Sequence, residues 1–399
     1  MSSRILPDWI NGFREMTYSG ESPEIYKEWV AVSTIAAALQ RKCFTQWESI
    51  IYPNLYIVLV GGAGAARKGT IMAPALDILK EVGIKVASNS ITREALIEQF
   101  INSMLITQYK DRDGNDVFKE HCSLTVFSKE LAVFIGEADH TFMVALIDWY
   151  DCDKNWEYKT KKRGDEYIRG VFLNLIGATT PTLLYKVFPV DTAIGAGLAS
   201  RTIFVYADRK SKINALPFPT KEELDLKEHL IRDLGVINTL SGEFILTEEF
   251  ARLYVDWYED MCENPPIKEV LLTSYLERRA THLRKICMIM SASRSDEMVL
   301  RPEDFHRAVD LMVRTEKDMP KVFGGYGKRD VASLFEPLIA IIMRAGSKGV
   351  TFTELIAQFY KDLSKEDLKD MIATLESMGK LEIENTKEGL KNVSYIRWK

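Results

Sequence analysis

No uninterrupted apolar run in this chain approaches the roughly 20 residues that span a bilayer, and the amino terminus, MSSRILPDWINGF, has no apolar core of signal-peptide length. Membrane insertion and secretion are therefore not expected, and the expected location is the cytoplasm. The five cysteines, Cys43, Cys122, Cys152, Cys262 and Cys287, are odd in number and lack CxxC spacing, which fits a reducing compartment. The five histidines are dispersed without HExxH or similar spacing, so a protein-bound catalytic zinc is not expected. Low-complexity tracts are missing as well, and with 46% hydrophobic and 27% charged residues the chain reads as folded throughout. A net charge of -5 excludes a general coat of positive potential, but leaves room for a local basic element that binds nucleic acid.

What is present begins with residues 54 to 70, NLYIVLVGGAGAARKGT, in which an apolar strand runs into a glycine-rich turn, a lysine and a helix. This is the pattern of a phosphate cradle. Gly62, Gly64 and the small Ala63, Ala65 and Ala66 let backbone N–H groups turn inward, the helix start adds its positive end, and Lys68 supplies an ammonium for the outer phosphates. The Gly62-to-Lys68 spacing matches the P-loop pattern, with two departures. Arg67 replaces the glycine before the lysine, and Gly69 follows it, so the Mg2+-binding hydroxyl passes to Thr70. The expected nucleotide-binding set is Gly62, Gly64, Ala65, Ala66, Arg67, Lys68, Gly69 and Thr70, with ATP and Mg2+ as cofactors.

The 399 residues suffice for one large core and one or two smaller domains. Residues 1–50 read as an N-terminal helical collar, with apolar residues at helical spacing over Tyr26 to Arg41. Residues 51–216 read as an α/β core whose strands start at Leu55, Ile84 to Ser88, Ser123 to Ser128, Val171 to Thr179 and Arg201 to Ala207, a five-stranded parallel sheet. The stretch from Thr107 to Cys122 alternates around Asp113-Gly114, a hairpin signal with a solvated tip. Residues 217–322 read as a separate helical lid, 323–332 as a glycine-rich linker, and 333–399 as three helices followed by a hairpin around Glu388-Gly389. In that last segment Ser364 is placed to cap the third helix, with Asp367 three positions on. The outline is that of a winged helix, a unit that docks on DNA or on protein.

Chemistry is expected where strands end. Glu130 follows the apolar strand LTVFS and is the candidate for orienting an attacking water; Lys129 stands where a Walker B motif carries aspartate, so metal coordination falls to Thr70 and Ser128. Capping the next helix is the alternative role for Glu130. Thr179 or Thr180 ends the following strand with a hydroxyl that can meet the γ-phosphate or the water; Asn174 is the weaker choice. Arg201, after the glycine-rich GAGLAS, is read as an arginine presented by a flexible loop to a neighbouring subunit's nucleotide. Arg278 or Arg279, in YLERRATHLRK with Arg284, is the candidate lid arginine, a solvated helix charge being the alternative. Residues 156–170, WEYKTKKRGDEYIRG, read as a hairpin carrying Lys159, Lys161, Lys162 and Arg163 between the two catalytic strands, with Trp156 and Tyr158 at its base, a cluster able to grip nucleic-acid phosphates.

In their order these segments, together with DWYDCDKN, LNLIGATTP and the terminal winged-helix outline, resemble AAA+ replication ATPases of phages and mobile genetic elements, akin to the minichromosome maintenance helicases. The resemblance implies a P-loop AAA+ fold and a ring, a hexamer, acting as a DNA helicase on single-stranded DNA. It implies roles for Lys68 on phosphate, Glu130 on water, the 156–170 hairpin as a pore loop and Arg201 across a subunit interface. A separate primase or origin-binding partner is implied, because no primase domain or amino-terminal DNA-binding barrel is fused. The competing reading is an ATP-switched DNA-binding or helicase-recruiting module with little turnover.

Overall fold

Five consecutive apolar residues, Tyr56–Val60, show no alternation and are all buried, as a strand covered on both faces requires. The structure is a computed structural model that describes residues 4–88, 91–136, 139–160, 164–188, 193–267, 272–323, 328–359, 365–388 and 391–399. Its main sheet has five strands: β1 (Tyr56–Val60), β2 (Met104–Lys110), β3 (Asp116–Ser128), β4 (Val171–Thr179) and β5 (Thr202–Tyr206), in the order β2-β3-β4-β1-β5. The β3–β4, β4–β1 and β1–β5 pairs are parallel and the β2–β3 pair is antiparallel, so the sheet is mixed.

The antiparallel edge corrects the expectation of an all-parallel sheet. The segment from Ile84 to Ser88 contributes one parallel bridge, Val86 to Thr125, instead of a full strand. The edge ladder is made by the hairpin around Asp113-Gly114, where Gly114 adopts φ 85° and the Asp111 carboxylate accepts from the N–H groups of Asp113 and Asn115. Its β2 arm pairs with the first half of β3, and the second half of β3 passes into the buried sheet.

Helices α1 (Trp9–Met16), α2 (Glu24–Leu39) and α3 (Lys68–Glu81) precede β2; α4 (His140–Asp151) and α5 (Ala193–Ser200) flank β4; α6 (Lys221–Ile237), α7 (Thr273–Arg294) and α8 (Pro302–Asp318) follow β5. Every residue of α2 from Tyr26 to Leu39 is buried. The Trp29 indole donates to Thr315 Oγ1 of α8 at 2.8 Å, and Asn174 in β4 donates to Ser33 of α2. The segment expected as a collar is thus a central helix of the core, and the helices expected as a lid pack with it: Met1–Phe323 is one compact unit. The lid-helix start expected at Val270 lies outside the described residues.

The second unit, Gly324–Lys399, has its own core of Leu338, Ile342, Leu355, Leu368, Met371, Leu375 and Ile396. It carries helices Lys328–Ala345, Phe352–Phe359 and Lys365–Ser377 and the hairpin Leu381–Glu388 with Lys391–Trp398. A short strand that the sequence pattern did not reveal, Val350–Thr351, joins the hairpin as a third strand. Ser364 and Gly389 lie outside the described residues. Among those described, no helix is long and apolar enough to cross a membrane. All five cysteines are free thiols, four of them buried.

Two core histidines set an acid limit on stability. His121 is held between Thr107 Oγ1 (2.9 Å) and Ser123 Oγ (2.8 Å), and burial, then the charges of Lys42 and Arg41, lower its pKa to about 4. Burial lowers that of His282 to about 3. Both are neutral in the folded chain and protonate near pH 6.5 when unfolded, so stability is whole above about 6.5 and falls by up to about 1.4 kcal/mol per pH unit per histidine as pH drops below it. His121→Gln, which keeps hydrogen-bonding capacity, should reduce the slope of urea-unfolding free energy against pH between about 6 and 4.5 by one proton's worth.

Candidate functional site

The carboxyl edge of the sheet is built around the end of β1. Tyr26 Oη donates to Val60 O at 2.7 Å and accepts from Ala207 N at 3.1 Å, clamping the exits of β1 and β5 to α2. A Cβ on Gly61 would stand 2.4 Å from Ala207 O and 2.9 Å from Tyr26 Oη, so only glycine fits. The loop then turns through Gly64 (φ 68°) and Arg67 (φ 49°) into α3, which begins at Lys68. Left-handed backbone at a non-glycine residue costs roughly 1–2 kcal/mol. Lys68 Nζ donates to Gly61 O (2.6 Å) and Gly62 O (3.1 Å), which holds the ammonium over the loop. Burial lowers the Lys68 pKa, and the charge of Glu130 opposes that shift.

The strain at Arg67 is held from outside the loop. Its Nε donates to Glu21 at 3.0 Å, and Ser22 Oγ donates to its carbonyl at 3.1 Å. Lys210, the Asn214 N–H and Arg67 together hold Glu21 at a pKa of about 2. The Arg67 guanidinium therefore faces Glu21, and its expected place among the phosphate ligands is not where the structure puts it. Glu21 and Tyr26 are functional supports that sequence reasoning missed; both lie more than 30 residues before Gly61, with nothing in their spacing to connect them to it.

Beside this loop lie the other expected residues. The register pairs Val60 with Thr179 and Ser128 with Gly177, so the ends of β1, β4 and β3 form one edge. Thr179 and Ser128 are buried there, and Gly61 N donates to Thr179 O at 3.4 Å. Glu130 is exposed immediately past β3, and its side chain makes no capping hydrogen bond to the helix Leu131–Ile135. Lys129 lies with its stem 3.6 Å from where a Cβ on Gly69 would stand, against the start of α3, next to Thr70, which is exposed. Asn174 is committed elsewhere, accepting from Leu55 N and donating to Ser33 in the core. Among the described residues no group of three or more His, Cys, Asp and Glu could hold a metal ion.

The arginines occupy the opposite edge. Arg201 precedes β5, whose first residue pairs with Tyr56 at the start of β1. At about 3.3 Å per residue the two edges stand roughly 15 Å apart. Arg201 is not on a flexible loop: α5 ends at Ser200, and the arginine is buried, donating through Nε and Nη2 to Asp151 (3.3 and 2.5 Å) and through Nη1 to Gly197 O (3.0 Å). Helix continues where a loop was expected because alanine and Leu198 outweigh the glycines, and Leu198 is buried. Arg278, half-exposed, donates to the same Asp151 at 3.3 Å. Arg279 turns inward to a bidentate pair with Glu316 (2.7 and 2.9 Å), both side chains 4% exposed, so its charge is answered in the interior. Arg284 donates to Tyr254 Oη and lies over the Trp47 ring.

Between β3 and β4 in sequence, Asn155–Thr160 and Gly164–Arg169 form the expected antiparallel hairpin. Trp156 anchors its base, packed edge-on against Trp149 and stacked on Tyr158, with Nε1 donating to Asp148 at 3.2 Å. Arg169 pairs with Glu120 at 2.7 Å. Lys161, Lys162 and Arg163 lie outside the described residues, as does the side chain of Lys159.

In comparisons with known proteins, no family model and no curated protein matches the chain, so its own residues carry the functional reading. The two neighbouring lid arginines separate by experiment. Arg279→Ala leaves Glu316 buried without its counter-charge, with only the Tyr275 hydroxyl still donating to it, and should destabilise the fold by about 3–5 kcal/mol, whereas Arg278→Ala should change stability by no more than about 0.5 kcal/mol, both read from urea unfolding.

Proposed function

We propose that this chain is an ATP-dependent, ring-forming DNA helicase that translocates on single-stranded DNA, built on a P-loop AAA+ core with a C-terminal winged helix, and serving replication of a phage or mobile element. One observation carries the reading: a glycine-rich loop with Lys68, a free carboxylate at Glu130 and a hydroxyl at Thr179 line one carboxyl edge, where ligands of open α/β sheets collect. ATP with Mg2+ supplies the phosphoanhydride. Lys68 and the loop N–H groups would bind its phosphates, the hydroxyls of Thr70 and Ser128 would be the ones to hold the metal, and Glu130, with Thr179, would orient water.

Arg201 and Arg278 support the ring. They lie on the edge away from Lys68, and in the ring reading the nucleotide they serve is the one a neighbouring copy brings to that edge. A guanidinium so delivered is worth about 10³–10⁵-fold in rate. The basic hairpin supplies sequence-independent grip on the DNA backbone, and its indole-anchored base gives a rigid mount. The second reading, an ATP switch with little turnover, draws support from Lys129 at the position of a metal-binding aspartate. A primase or origin-binding protein is the expected partner, and the cytoplasm the expected location.

Steady-state ATP hydrolysis with and without single-stranded DNA tests the reading. Turnover stimulated by DNA and lost in Lys68→Ala is expected; nucleotide binding without turnover would leave the switch. Lys161→Ala with Lys162→Ala should weaken single-strand binding and reduce the slope of log affinity against log salt by about 0.7 per lost phosphate contact. An unchanged slope removes the hairpin from the DNA path.

A further inference from the structure

Resting on the reading of Arg201 as an arginine that acts on a neighbour's nucleotide, we propose that Asp151 is the positioning residue of that edge: its carboxylate sets Arg201 and Arg278 in the paired orientation that receives a second copy's phosphate. Asp151 is the last residue of α4, where the helix end already carries partial negative charge and no basic residue lies in the final turn. An acidic side chain is disfavoured there by about 0.3–1 kcal/mol unless cations answer it. Two do. One oxygen accepts from Arg201 Nε and Arg278 Nη1, both at 3.3 Å, and the other from Arg201 Nη2 at 2.5 Å. The pair comes from separate elements, the residue after α5 and the second turn of α7, and shares this carboxylate.

The surroundings fix the carboxylate in turn. Cys152 after it is left-handed (φ 59°), and Arg41 Nη1 donates to Cys152 O and to Val171 O, pinning the chain as α4 ends. Asn54, leading into β1, donates to Tyr150 O at 2.9 Å and accepts from buried Lys285 Nζ at 2.6 Å. The Tyr150 hydroxyl donates to His282 Nδ1, whose Nε2 donates to Ser200 O next to Arg201. A cavity of about 390 Å³ opens beside Asp151, lined also by Arg278, Arg284, Lys285 and a second carboxylate, Glu48. With Arg201 adjoining, four cations face the two carboxylates Asp151 and Glu48, so the edge keeps surplus positive charge for an incoming anion while Asp151 orients the guanidinium planes.

The experiment is turnover by mixed rings, with nucleotide binding measured on each variant by a fluorescent ATP analogue. Asp151→Ala should bind the analogue as the parent does and lose about 10²-fold in kcat, the scale of a misplaced catalytic group. Mixed with Glu130→Gln subunits it should regain activity; mixed with Arg201→Ala subunits it should not, because both defects sit on one side of the interface. Rescue by Arg201→Ala, or a parental kcat in Asp151→Ala, overturns the assignment. Should Asp151→Ala fail to fold, the isosteric Asp151→Asn takes its place, and parental turnover in it likewise overturns the proposal. The control mixture of Arg201→Ala with Glu130→Gln reports on the premise: no rescue there removes the trans-acting arginine itself, and Asp151's role with it, whereas rescue there with none for Asp151 and Glu130→Gln refutes Asp151 alone.

Discussion

Both edges of the sheet depend on β1 being held between two parallel neighbours. Its five residues are buried, paired on one side with β4 and on the other with β5, and covered by α2. A strand fixed on all sides leaves its two ends no freedom, so the loop at Gly61 and the turn at Asn54 are set by the same ladder. Tyr26 clamps the first end through Val60 and Ala207, and Lys285 clamps the second through Asn54. The glycine that follows Val60 is a consequence, since backbone and tyrosine have already filled the space a side chain would need.

The buried polar groups divide into those that hold the fold and those left available. Asn174, Arg279, Glu316 and Trp29 are spent on partners within the core, and removing one partner would leave a desolvated group uncompensated. Glu130, Lys129 and Thr70 at the carboxyl edge, and Asp151 and Arg278 at the amino edge, keep part of their surface in solvent. That division separates neighbours in sequence: Arg278 and Arg279 differ by one step of about 100° around α7, enough to send one to the cavity and the other into the interior.

Much of the first unit was legible because two-sided burial writes itself as an unbroken apolar run, and tight turns as glycine. β1, β4, the loop from Gly62 to Lys68 and the hairpin at Asp113-Gly114 were read that way. The weak strand at Ile84 to Ser88 was over-read, because apolar residues there satisfy helix packing and a single bridge as well as a ladder. The loop expected before Arg201 was helix, since glycine lowers helical propensity by only about 1 kcal/mol and burial of Leu198 offsets that. Contacts between residues far apart, Arg67 with Glu21 or Arg278 with Asp151, leave no periodicity to detect; charge alone could suggest them, and the sequence has many carboxylates to choose from.

Three residues, Cys152, Asp153 and Lys154, separate Asp151 from the first arm of the basic hairpin, and Gly170, at φ 58° with its N–H on Lys154 O at 2.7 Å, closes the second arm. A Cβ at Gly170 would stand 2.6 Å from Glu120 O, so the closure is seated directly against β3. An arm of six paired residues thus extends about 20 Å outward from a base that lies within a few residues of the helix end carrying Asp151, so hairpin and carboxylate are seated on one short stretch of backbone.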